Sequence, residues 1–113
     1  MIIRHALLFT AICFITFDAS ASKLNAYQAL RKIDQDVFRL YIGAMADGME
    51  WANTAIEVRG QPPLFCTPKS LALNSDNYIK LVDSEIDRTP TYTPDTDVAL
   101  ILLRALQRAF PCK

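Results

Sequence analysis

Cys66 and Cys112 are the residues of this sequence with the clearest capacity for chemistry. A cysteine can serve as nucleophile, metal ligand, lipid attachment point or half of a disulfide, and its surroundings decide which. Their separation is far too wide for a C-x-x-C redox motif. A nucleophilic thiol or serine needs a base, usually histidine, and the chain has a single histidine, His5. Neither an imidazole set nor a cysteine cluster is present to complete a zinc site. Carboxylate pairs offer little more. Asp34 and Asp36, like Asp95 and Asp97, lie two positions apart and point to different sides of a helix. Asp47 and Glu50 can share a face, yet without a partner base they read as solvated or salt-linked surface. Asp95-x-Asp97 lacks the glycine and the distal glutamate of a calcium loop, and its acids suit a helix start. The expectation is no catalytic group, no metal and no cofactor.

One aromatic stands apart. Tyr92 lies in the polar stretch TPTYTPDT, where no helical pattern calls for a large ring. Exposed aromatics among polar residues are favoured interface anchors, so Tyr92, with Asp87 and Arg88 just before it, is the candidate partner-binding group; the alternative for Tyr92 is packing back onto the neighbouring helix ends. Tyr27, Phe38, Tyr41 and Trp51 read instead as the core and rim of the first helix.

The elements that must position these residues begin after the amino-terminal segment. MIIRH is a short positive start, residues 6–17 are continuously apolar, and Ala19-Ser20-Ala21 forms an A-x-A site. That pattern predicts an export signal, residues 1–21, cleaved before Ser22; the run is well short of the roughly 20 residues that span a membrane. Cleavage would remove Cys13 and His5. Cys66 and Cys112 would then be the remaining cysteines of a chain delivered to an oxidising compartment, where a disulfide is their simplest arrangement. A bond closing a loop of this length contributes up to about 4 kcal/mol. Residues 22–113 form one small domain, for which such a staple matters.

Twelve basic residues balance twelve acidic ones. The neutral balance argues against nucleic acid as a partner and against a cationic membrane-surface helix, so no stable membrane insertion is expected once the signal is gone.

Three helical segments follow from periodicity. The first is expected from about Asn25 to Glu57, with Leu30, Ile33, Val37, Leu40, Ala44, Gly48, Ala52 and Ala55 recurring at helical steps. Ala44, Gly48 and Ala52 carry almost no side chain and mark a place for close helix packing. Gly43 and Gly48 make a kink in its second half the expected weak point. The prolines and glycine of 58–76 make a connector whose Leu64 and Phe65 dock on the core. A second helix starts at Asn74 or Ser75, with a stripe of Tyr78, Ile79, Val82 and Ile86, and stops at Pro90. Thr93-Pro94-Asp95 reads as the start of a third helix, the most buried, carrying Val98, Ile101, Leu102, Ala105, Leu106 and Ala109. No alternating strand pattern occurs. The predicted fold is all-α, a small disulfide-stapled bundle of three to four helices.

Taken in order, Tyr41-x-Gly43, Asp47-Gly48, Phe65-Cys66-x-Pro68, the helix ending at Pro90, and Leu102-x-x-Ala105-Leu106-x-x-Ala109-Phe110-Pro111-Cys112 resemble the Rap/Tai family over roughly residues 27–112. The paired F-C-x-P and A-F-P-C signatures are the most specific part. Members of that family are small exported helical proteins that protect bacteria against type VI secretion amidase toxins in the periplasm. The resemblance implies a helical fold with this disulfide, a tendency to dimerise, and binding that occludes a cell-wall amidase. The matched positions are structural, and the loop from Thr89 to Pro94 is longer than the turn usual in the family.

Two functional expectations result. The first is a periplasmic, non-enzymatic immunity protein in which the segment from Asp87 to Pro94 enters the toxin cleft. The second is a small helical stress protein or chaperone of the exported space, with one disulfide and no toxin partner. A hydrolase is the weakest reading, for want of a nucleophile and base.

Overall fold

A computed structural model describes residues 23–113, so the expected signal segment lies outside the described residues. Helix α1 spans Leu24–Ile33, α2 Gln35–Val58, α3 Ser75–Arg88 and α4 Val98–Ala109. No strand occurs among the described residues; Lys23 and Asp97 form an isolated antiparallel bridge.

The long first helix is two helices, and the break is at Asp34 rather than near a glycine. Asp34 is extended (φ −150°, ψ 108°) and caps both sides of the break. Its amide donates to the Leu30 carbonyl, and its carboxylate accepts from the amides of Asp36 and Val37. An aspartate at this position satisfies the free N–H groups that open a helix. The break has a packing reason. In one continuous helix Tyr27 and Phe38 would stand about 16 Å apart along the axis. Here their ring centroids lie 4.7 Å apart, and the Arg31 guanidinium sits 5.4 Å from the Phe38 ring.

Folding back at Asp34 also changes which face of α2 is inside. Phe38, Ile42, Ala46 and Asn53 are buried. Leu40 (72% exposed) and Trp51 (74%) face outward, as do Ile33 and Val37. Ala44, Gly48 and Ala52 are exposed as well, and nothing lies within 4 Å of a Cβ placed on Gly48. Among the described residues no helix packs against that small-residue stripe. The close approach occurs one residue away from it: a Cβ on Gly43 would meet Ser75 Oγ at 2.7 Å, where α2 passes the start of α3. Gly60, with φ +77°, closes α2 in the left-handed conformation that glycine adopts without strain.

Helix α3 begins as its sequence predicts. Asn74 and Asn77 exchange side-chain and backbone hydrogen bonds in a capping box. Tyr78, Ile79 and Val82 are buried, Ile86 partly so. Helix α4 packs most extensively on α3 and places Val98, Ile101, Leu102, Ala105 and Leu106 in the core, while Ala109 is exposed. Its start differs from expectation. Asp97, not Thr93, is the residue before the helix, and 93–96 form a turn closed by Thr93 and Thr96. The carbonyls of Pro94 and Thr96 accept from the amides of Asn25 and Leu24, so the loop caps α1. A helix beginning at Pro94 would spend those carbonyls internally.

The connector and the carboxyl end are tied together twice. Cys66 and Cys112 are bonded (Cα–Cα 5.0 Å), and the Cys66 amide donates to the Phe110 carbonyl at 2.8 Å. Buried Asn53 holds the same stretch from the other side: its amide nitrogen donates to the Phe65 carbonyl and its oxygen accepts from the Leu64 amide. Phe65 is thereby fixed in the core.

Candidate functional site

The three residues singled out for partner binding cluster at the end of α3 without sharing one surface. Asp87 and Arg88 are both exposed. Asp87 lines a cleft toward α1, together with Tyr27, Gln28, Arg31, Asp83 and Ile86. Arg88 borders a smaller cleft toward α4, beside Leu81, Ser84 and Arg108. Tyr92 is not the free anchor its polar surroundings suggest. It is partly buried against the core, and its hydroxyl donates to Glu85 Oε1 at 3.0 Å.

Glu85 organises this end of the molecule. It is 2% exposed and receives Arg108 Nε on one oxygen at 2.9 Å. The other oxygen takes Tyr92, the Thr89 hydroxyl at 3.3 Å and a longer contact from Arg108. A buried carboxylate is tolerated when it is paired and its lone pairs are filled, and here both conditions hold. The Arg108 hydrogen bond, helped by those of Tyr92 and Thr89, lowers the Glu85 pKa against the opposing effect of burial. Chemically this is a latch between α3, α4 and the loop; it presents no reactive group.

A similar pair joins α1 to α3. Arg31 makes a bidentate contact with Asp83, at 2.8 and 3.0 Å. Lys23 and Asp97 at 2.9 Å, and Arg39 and Asp76 at 3.0 Å, are the more exposed pairs; such pairs contribute little each.

A cavity of about 490 Å³ opens between the second half of α2 and the connector. Glu50 stands in it, accepting the Thr67 hydroxyl at 3.3 Å and the Tyr78 hydroxyl at 3.4 Å. Burial, then the Glu50 charge and hydrogen bond, pushes the Tyr78 phenol up to about 12. Asp47, its expected companion, is exposed and does not line the cavity, though its charge adds to that of Glu50 on the Tyr78 phenol. Among the described residues no group of three or more His, Cys, Asp or Glu could hold a metal ion. No described helix is long and apolar enough to cross a membrane.

Sequence reasoning missed Glu85 and Asn53. Both fall on apolar stripes, Glu85 after Tyr78 and Val82, and Asn53 after Ile42 and Ala46. A polar residue on an apolar stripe is the signal that finds such groups, because burial there demands a partner.

Compared with known proteins, the chain matches no family model, no curated protein and no solved structure.

Proposed function

We propose that this chain is a non-enzymatic binding protein of the periplasm that protects its cell by occluding a peptidoglycan amidase delivered by type VI secretion. The observation that carries the reading is the joining of the F-C-x-P connector to the A-F-P-C end, the two signatures on which the resemblance to the Rap/Tai family rests. The mechanism is steric. The end of α3 and the loop after it project Asp87 and Arg88 to solvent, while the Glu85 latch and the hydrogen bonds to α1 hold that loop in one shape. A preorganised projection loses little entropy on binding, which favours tight inhibition. The exposed face of α2, with Leu40, Ala44, Gly48 and Trp51, is the surface whose chemistry suits self-association in the same reading.

The test is expression of the chain with its amino-terminal segment alongside a peptidoglycan amidase of the type VI class. Lysis is suppressed if the reading is right. Unchanged lysis, with the protein verified in the periplasm, rules it out for that toxin.

One observation favours the second reading, an acid-stress chaperone. Protonation of Glu85 would unfasten a latch over α3 and α4 and expose apolar surface. Suppression of client aggregation at about pH 2 to 3, in the range where carboxylates protonate, is its expected outcome. Failure there removes it.

A further inference from the structure

Glu50 and Glu85 each accept a tyrosine hydroxyl, but only Glu85 has a cation against it. Glu50 is partly buried and belongs to no ion pair of the described residues. Its contacts are the Thr67 and Tyr78 hydroxyls, both on Oε1 and both long, at 3.3 and 3.4 Å. Oε2 takes no hydrogen bond from the described residues. A carboxylate drawn out of water needs its acceptor sites filled and its charge balanced, and here neither is complete.

The cavity in which it stands, about 490 Å³, falls within the range of small-ligand sites, about 300–1,000 Å³. Pro63, Pro68, Leu71 and Leu73 give the connector side an apolar wall. The field inside is negative. The charges that raise the Tyr78 phenol are those of Glu50 and Asp47, with no basic group offsetting them there. Glu57, two turns after Glu50 on the same face of α2, lines the cavity too. Lys69, the one basic residue of that lining, is exposed and makes no ion pair.

We propose that this cavity is a binding site for a primary ammonium carried on an aliphatic chain, as in a diamine or a lysine side chain. Glu50 takes the ammonium on Oε2, and the prolines and leucines of the connector take the methylene chain. The lining selects this class. An anion meets two carboxylates against one lysine. A neutral polyol finds hydrogen-bond partners but leaves the charge of Glu50 unbalanced. A diamine has a second ammonium to offer Glu57, which a lysine side chain lacks. The cavity reaches α3 at Tyr78, near its start, whereas Asp87 and Arg88 stand at its end. The site therefore goes beyond the reading as an inhibitor and does not depend on it.

The experiment uses the purified protein with its disulfide intact, labelled for nuclear magnetic resonance and titrated with cadaverine or N-acetyl-lysine methylamide. Pentanediol is the uncharged control. Saturable shifts are expected at the amides of Glu50, Thr54, Thr67 and Leu73 with at least one amine and not with the diol. The amides of Asp36 and Asp95, exposed acids elsewhere, stay still. Glu50→Gln, which keeps an acceptor for Thr67 and Tyr78, weakens binding about tenfold, the factor of a lost charge-assisted contact. Lys69→Ala tightens it by removing a like charge. Tighter binding of cadaverine, with the advantage lost in Glu57→Gln, assigns the site to free diamines. Equal or tighter binding of the lysine derivative assigns it to a polypeptide side chain. Absence of saturation with both amines, equal shifts with the diol or at Asp36 and Asp95, an unchanged midpoint in Glu50→Gln, or weaker binding in Lys69→Ala overturns the proposal. No toxin is involved, so this result and the lysis assay succeed or fail separately.

Discussion

The Tyr92 hydroxyl donates to Glu85 Oε1 at 3.0 Å, joining the loop to a carboxylate with 2% of its surface exposed. The contact turns an apparently free aromatic into a fastening, and Arg108 completes it from α4.

A pH dependence follows from that fastening. The folded-state pKa of Glu85 is lowered from 4.5, chiefly by Arg108. A depressed carboxylate contributes stability that is present above its unfolded pKa and lost as pH falls through the folded value. Urea denaturation from about pH 7 to pH 3 should therefore show stability falling below about pH 4.5. Glu85→Gln should be less stable at neutral pH by about 2 kcal/mol and show a flatter acid limb. Parallel profiles for the two proteins would remove Glu85 as the source.

The disulfide is the second test. Reduction, or Cys66→Ser with Cys112→Ser, should lower stability by about 2–4 kcal/mol in urea denaturation. Hydrogen exchange should quicken first at the Leu64 and Cys66 amides, which bond to Asn53 and Phe110. Unaltered exchange at both would mean that Asn53 alone holds the connector.

Asp34 caps the break between α1 and α2, so Asp34→Ala should cost about 1 kcal/mol. Asp47→Ala, exposed in the middle of the same helix and away from either end, is the control. Equal losses in thermal unfolding would count against the cap.

Gly48 sits in the exposed middle of α2 with nothing near its missing Cβ. Gly48→Ala should stabilise the monomer by up to about 1 kcal/mol. Gly43→Ala should gain less or lose, because Ser75 Oγ must turn away. Sedimentation of Gly48→Ala also probes self-association, which a methyl on the α2 face should weaken if backbones meet there.

Much of the bundle was legible because its signals are local. Asn74 opens α3 as a capping residue should, and the apolar run of α4 is buried where its density predicts. The break at Asp34 was not legible. An aspartate between two helical stretches looks like any polar position on a helix, and only the meeting of Tyr27 with Phe38 distinguishes it. Reading the period straight through that break assigned Ile33, Val37 and Leu40 to the core, whereas they face solvent. The start of α4 failed for the opposite reason. Thr93-Pro94-Asp95 is a good cap by composition, but the first amides of α1 take the carbonyls of Pro94 and Thr96. At the candidate site, exposure of Asp87 and Arg88 followed from their polarity, while the fate of Tyr92 depended on Glu85 lying across from it, a relation that no spacing of three or four residues encodes.

The bond from Cys66 to Cys112 encloses α3, the loop after it and α4 in a single covalent ring, with α1 and α2 outside. The exposed stretch at Thr93, Pro94 and Asp95 lies within that ring. A protease that cuts there therefore opens the ring without releasing a fragment. The two pieces stay covalently joined until a reductant separates them, so one cleavage in this exposed loop leaves a single molecule.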